Sequence, residues 1–193
     1  GDDTLAEDVV QDAFLGAWRS ADRYVAGRGS VKTWLLAIVH HRAIDVVRRL
    51  LPRDGVLAFD VGAHTHQIAS QWAAHAPRTF LITNGWSSMG FGIPAAIAAK
   101  IARPDLPVVC IVGDGCFQMT GQELATAVQF GLAVITIVAN NSCLGTIRMH
   151  QQKRFPGRIV ATSLLNPDFV KLAESHGVLG LRVSETPAFA DAL

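Results

Sequence analysis

The sequence predicts an α/β fold, a parallel sheet flanked by helices in a Rossmann-like arrangement, preceded by a small all-α helical hairpin. Three observations predict it. Val108 to Val112 and Val134 to Val138 are short apolar runs bounded by turn residues, the pattern of strands buried on both faces. Between them stand Gly113-Asp114-Gly115 and a helical run holding Glu123-Leu124, so strand, turn, helix and strand make a βαβ unit. Residues 1–50 contain no strand pattern, and their apolar residues recur at helical spacing.

In chain order, Thr4-Leu5-Ala6-Glu7 reads as a capping box that opens a first helix. Val10, Phe14, Ala17, Trp18 and Ala21 give that helix one apolar face. Gly27-Arg28-Gly29 breaks it, and Ser30 is a good N-cap for a second helix. There Val31, Leu35, Ile38, Ala43, Val46 and Leu50 form a stripe opposite His41, Arg42, Asp45, Arg48 and Arg49. The texture changes at Leu50-Leu51-Pro52, where Pro52 disfavours helix in the residue before it. This places a domain boundary there, with a helical segment over 1–50 and an α/β domain over 51–193.

Val56 to Phe59 reads as a buried strand ending at Asp60-Val61-Gly62-Ala63-His64. Thr79 to Ile82 reads as another strand, leading through the small-residue loop from Thr83 into an Ala-rich helix that ends near Ala102. A helix is expected to open near Gly121 after the Gly-Asp-Gly turn. Asn166-Pro167-Asp168-Phe169 starts a further helix ending at His176-Gly177, Val178 to Val183 is expected as the last strand, and a final helix follows Pro187.

Composition narrows the function. Half the residues are hydrophobic and the net charge is +1, so no global basic field argues for nucleic acid. Cys110, Cys116 and Cys143 are an odd number without CxxC or Cys/His spacing, which disfavours a disulfide framework or a zinc site. No signal peptide is evident, and the longest apolar runs are too short to span a bilayer. A reducing cytoplasm and no membrane partner are the expectation.

The two polar clusters, Asp114 and Asn140-Asn141, fall at the carboxyl ends of their strands, the edge where open α/β sheets bind ligands. Gly113 and Gly115 allow a sharp turn that leaves backbone N–H groups uncovered for phosphate. Asp114 and Asn141 supply hard oxygens, and a backbone carbonyl just after Asn141 could supply a third. With phosphate oxygens and water, such a set suits octahedral Mg²⁺.

Gly-Asp-Gly, the Glu-Leu helix and Asn-Asn together resemble the thiamine diphosphate (ThDP) motif of the acetolactate synthase superfamily. The resemblance runs from about Leu51 to the C-terminus and matches the diphosphate-binding (PP) domain of those enzymes. It implies ThDP and Mg²⁺ as cofactors. It implies Asp114, Asn141 and the Cys143 carbonyl as metal ligands, with Gly113, Asp114, Gly115 and Cys116 around the diphosphate. His64 matches the loop that approaches the diphosphate, although His64 could simply cap the following helix. Met89 matches the bulky residue that props the cofactor into its bent conformation, and the Ser87 carbonyl matches the acceptor for the pyrimidine amino group. In this chain Asn84-Gly85-Trp86-Ser87-Ser88 stands where the family usually has Gly-Gly-Leu-Gly-Thr. The segment after Asn141 closes over the cofactor in the family. There Arg148 is a candidate for an anionic 2-oxo acid, and Lys153, Arg154 and Arg158 read as a solvated helix face.

The same resemblance implies a missing part. In the family a glutamate of a separate pyrimidine-binding (PYR) domain polarises the aminopyrimidine so that C2 loses its proton. None of Glu7, Glu123, Glu174 or Glu185 matches it, so no catalytic residue is identified, and a PYR-domain subunit or a homo-oligomer is the expected partner. The expected activity is that of a lyase or decarboxylase on small 2-oxo acids, inactive without the PYR partner.

Residues 1–50 carry a second resemblance. Ala6 to Trp18, and Gly29-Ser30-Val31-Lys32-Thr33-Trp34 through Arg49, are similar to region 2 of extracytoplasmic-function sigma factors. This implies an alternative, a transcription module binding RNA polymerase and promoter DNA. Arg42, Asp45, Arg48 and Arg49 fall on the helix that engages the promoter in that family. Seven Lys/Arg against seven Asp/Glu in this segment leave a weak electrostatic footprint for DNA. Both segments match only part of their families, the mark of a fusion or a fragment.

Overall fold

In a computed structural model, the described residues are 44–184 and 187–193. The expected first helix, its capping box and the start of the second helix lie outside them. Residues 44–50 are helical. Leu51–Gly180 forms one compact unit, and Leu181–Leu193 falls outside it.

The unit is built on four parallel strands: β1 (Val56–Phe59), β2 (Phe80–Leu81), β3 (Val108–Gly113) and β4 (Ile135–Ala139), in spatial order β2-β1-β3-β4. Parallel strands need long crossovers, and helices provide them. These are α1 (Ala63–Gln71), α2 (Gly92–Ala102), and α3 (Asp114–Thr120) running through a 3₁₀ turn (Gly121–Glu123) into α4 (Leu124–Gln129). After β4 come α5 (Gly145–Arg154) and α6 (Phe169–Ser175); α7 (Pro187–Ala192) lies outside the unit.

β1 is buried at every residue and β3 at all but Gly113, which explains their unbroken apolar runs. One face of the sheet packs on α2 through Ile93, Ala96 and Ile97, with Phe117 and Leu124 completing that core. On the other face Ile68 is fully buried, and Phe59 meets Phe80 with ring centroids 4.8 Å apart. Burying side chains of this size contributes about 1.5–3 kcal/mol each, and this sheet is the rigid base of the site.

Two expectations are corrected. The helix after β3 opens at Asp114, not near Gly121, which sits in the 3₁₀ turn. Gly113, extended at φ −76° and ψ 158°, is the residue before that helix. Val178 to Val183 forms no strand; it lacks ladder hydrogen bonds, and Gly180 is instead pressed against α6. A Cβ at Gly180 would stand 2.8 Å from the Val170 carbonyl oxygen, so the chain at Gly180 follows the helix. The strand expected over Thr79 to Ile82 is shortened to Phe80–Leu81, and that over Val134 to Val138 is shifted to Ile135–Ala139.

Candidate functional site

Strand order makes the site. From β1 the chain passes to β2 on one side, while β3 lies on the other, so the loops after β1 and β3 diverge and leave a crevice at their carboxyl ends. Asp60 directly follows β1 there and is fully buried. One carboxylate oxygen accepts from Val61 N at 2.8 Å and Gly90 N at 3.1 Å, and the other from Gly92 N at 2.7 Å. Three N–H groups compensate the burial of this charge. They tie the β1–α1 loop to the loop carrying Met89. Gly90, at φ +87°, takes a left-handed turn that other residues adopt only with strain.

A second tie joins the β1–α1 loop to α3: the Cys116 thiol donates to the Val61 carbonyl at 3.0 Å. Burial, then the nearby Asp60 charge, pushes this thiol up to about 12, so it stays a donor at neutral pH. Cys110, mid-strand, is pushed up further by burial.

Asp114 opens α3 and is buried. Its Oδ1 accepts from Gly115 N at 2.9 Å, and its Oδ2 from the Asn166 side-chain amide at 2.7 Å. The same amide nitrogen donates to Asn140 Oδ1 at 2.8 Å. Gly113 pairs with Ala139 across β3 and β4, so Asp114 and Asn140 follow side by side from adjacent strands.

Beyond Asn140 the chain turns sharply. Asn141 Oδ1 accepts from Cys143 N at 3.0 Å, and Ser142 adopts φ +55°. Cys143 then bridges Ser163 in antiparallel fashion, flanked by Leu144 N to the Thr162 carbonyl at 2.8 Å and Leu164 N to the Ser142 carbonyl at 2.9 Å. In a pair of this kind the opposed residues turn their own N–H and C=O outward. The Cys143 carbonyl therefore faces away from residues 162–164, on the side of Asn141.

Contacts around the glycines show what else converges. An ideal Cβ on Gly113 would meet the His64 ring at 3.4 Å, and one on Gly115 would meet Leu144 Cδ2 at 2.8 Å and Met89 Cε at 3.4 Å. Gly115 thus lies in a cradle that a side chain would fill. His64 is buried on the first turn of α1, so it is part of that helix rather than the residue before it. His64, Met89, Gly113, Asp114, Gly115, Cys116, Asn141 and Cys143 are thereby drawn to one edge of the sheet. Ser87 is exposed at φ +49° in the loop before Met89 and is not among these contacts. Arg148 is exposed on α5.

The model for the thiamine pyrophosphate enzyme, C-terminal TPP binding domain, matches residues 60–193. The chain belongs to that family. The start of the matched ThDP-binding domain coincides with Asp60. Among similar proteins, the acetolactate synthase large subunit of Haemophilus influenzae is 40% identical over 144 residues, 74% of this chain and 25% of that protein. The isozyme 3 large subunit of Escherichia coli is 39% identical over 142 residues, 73% of this chain and 25% of its own. The acetolactate synthase of Mycobacterium leprae is 42% identical over 144 residues, 72% and 23%. The chain spans about a quarter of the length of these curated relatives. A second model, sigma-70 region 2, matches residues 1–51. No helix among the described residues is long and apolar enough to cross a membrane.

In this ThDP-binding domain, sequence reasoning missed two site residues. In the sequence Asp60 reads only as the end of a strand, although a carboxylate closing a fully apolar run must find donors, and the Gly-rich loop is there to supply them. Asn166 reads only as the start of a helix. Nothing local in Asn166-Pro167 betrays a contact with Asp114, 52 residues away.

Proposed function

We propose that the chain holds the diphosphate and divalent metal of ThDP as part of an acetolactate synthase-like enzyme acting on 2-oxo acids. The observation that carries this reading is the placement of Asp114 and Asn140 on either side of one amide group, next to Asn141. The donor set fits the group: a carboxylate, amide oxygens and a backbone carbonyl are hard ligands of the type Mg²⁺ takes. Asp114, Asn141 and the Cys143 carbonyl would hold the metal. Gly113, Gly115 and Cys116 would line the diphosphate, since any side chain at Gly115 would crowd its approach. His64 lies beside Gly113 at the diphosphate end. Met89 would support the bent cofactor, held by the Asp60 bonds to its neighbours, with the Ser87 carbonyl as acceptor for the pyrimidine amino group.

When bound, the cofactor supplies a nucleophilic carbon for attack on a 2-oxo acid. The residues of this chain bind and orient it. The proton transfer that activates it would fall to a PYR domain.

Titration calorimetry of ThDP with Mg²⁺ or with EDTA, on the wild type and Asp114→Ala, tests the reading. Binding should require the metal and be lost in the variant; equal binding in all cases overturns it.

The match of residues 1–51 to sigma-70 region 2 favours a second reading for that segment, an RNA polymerase-binding module. Its zero net charge argues against promoter recognition by the segment alone. A gel shift with promoter DNA and core polymerase should show no specific binding. Specific, salt-sensitive binding lost on Arg48→Ala/Arg49→Ala would establish the transcription module instead.

A further inference from the structure

We propose that Asn166 is a positioning residue for the cation site, its side-chain amide orienting the Asp114 carboxylate and the Asn140 amide oxygen. The proposal rests on the metal reading above and extends it to a residue outside both of the motifs that suggested it.

The Asn166 amide has one arrangement that satisfies its surroundings. Its nitrogen donates to Asp114 Oδ2 at 2.7 Å and to Asn140 Oδ1 at 2.8 Å, using both hydrogens. Its oxygen accepts from Gln118 Nε2 at 2.7 Å. Turning the amide over would set its oxygen against two acceptors and its nitrogen against the Gln118 donor. The carboxylate it touches is thereby fixed at both ends, Oδ1 by Gly115 N and Oδ2 by Asn166. Each oxygen keeps a further lone pair for a cation.

The backbone under Asn166 is fixed as well. Upstream, Leu164 N is bonded to the Ser142 carbonyl. Downstream, Asp168 caps α6, accepting from Val170 N at 3.1 Å. Phe169 packs edge-on against Phe117 of α3, with centroids 5.1 Å apart, which sets the register of Asn166 against the helix that Asp114 opens. Groups that hold a metal's ligands in place typically matter by about 10–100-fold in affinity. The preorganised carboxylate does not have to be ordered when the cation arrives.

The test is a Mn²⁺ titration, followed by loss of the free-ion EPR signal, on the full chain with saturating ThDP. Asn166→Leu removes the amide at similar volume. Gln118→Ala removes its anchor from an exposed helical position. Asn166→Leu should weaken Mn²⁺ binding by about 10–100-fold, and Gln118→Ala should weaken it in the same direction by less. Should Asn166→Leu not fold, Gln118→Ala decides by itself. Wild-type affinity in the folded variants overturns the proposal. Tighter binding also overturns it, since Asn166 would then compete with the cation. Asp114→Ala separates the two readings: retained Mn²⁺ binding there means that the metal site itself is misassigned.

Discussion

The Asp60 carboxylate lies 2.7 Å from the Gly92 amide nitrogen, fully buried, while its other oxygen holds Val61 N and Gly90 N. One side chain therefore fixes the path of the chain just after Met89. Asp60→Ala leaves these N–H groups without their acceptor, at a cost of about 1–3 kcal/mol per group that water cannot reach. A loss of about 3 kcal/mol is expected in urea unfolding. Asp60→Asn, which keeps one acceptor oxygen, should fold better yet still bind ThDP more weakly than the wild type by calorimetry.

Gly115→Ala separates folding from binding. Alanine is favoured over glycine inside a helix by about 1 kcal/mol. The added methyl meets the flexible ends of Leu144, Leu164 and Met89, closest at Leu144 Cδ2, and crowding of this kind costs about 1–3 kcal/mol. The two nearly cancel, so the melting temperature should move little while ThDP affinity falls at least tenfold. At Gly92 the methyl would meet Val112 Cγ1 at 2.8 Å and the Asp60 backbone at 3.3 Å. Gly92→Ala should therefore lower stability as well as affinity.

The buried thiols predict a pH dependence. Cys116 titrates near 12 in the folded chain against an ordinary value of 9.0, so the unfolded chain loses its proton first. Its contribution to stability is whole below about pH 9 and declines as pH rises toward 12. Urea unfolding from pH 8 to 10.5 should show this decline, and Cys116→Ala should reduce it, leaving the part that Cys110 contributes. By the same physics, iodoacetamide at pH 8 should label half-buried Cys143 first, with Cys110 and Cys116 labelled only after unfolding. Peptide mass mapping reads the order.

The 193-residue chain by itself should not activate the cofactor. Glu123 accepts from Thr126 Oγ1 at 2.8 Å, and Glu174 is exposed on α6. General acid–base assistance is typically worth about a hundred- to ten-thousandfold, and no carboxylate in the described site offers it. Deuterium exchange at C2 of bound ThDP, quenched in acid and read by NMR, should match free ThDP. Faster exchange in a pure preparation would reveal an activating group within this chain.

The sheet was legible because parallel strands buried on both faces must be apolar throughout, as Val108 to Val112 and Val56 to Phe59 are. Gly-Asp-Gly was legible as a special turn but hid where its helix begins, because Asp114 serves at once as helix residue and site carboxylate. The failed strand at Val178 to Val183 shows the opposite limit. Its apolar residues suit a strand, but whether the chain joins a sheet or packs on a helix is a tertiary choice, made where Gly180 lets the backbone approach Val170. Asn166 was illegible for a related reason: its partners are assembled by packing, and no spacing in the sequence encodes them.

The loop from Ser142 to Leu164 has a consequence for how the domain opens. Its two ends are stapled to each other, and Gln151 clamps Val160 through both its amide oxygen and its nitrogen. Yet α5, carried between those ends, buries none of its residues. A segment closed on itself, whose helix buries none of its residues, is expected to fluctuate as one cooperative unit, at a free energy well below that of global unfolding. Its amides should exchange with solvent long before those of β3. The sheet and its Asp114 turn would then act as a permanent floor, while the wall beside them lifts and falls without unfolding the floor.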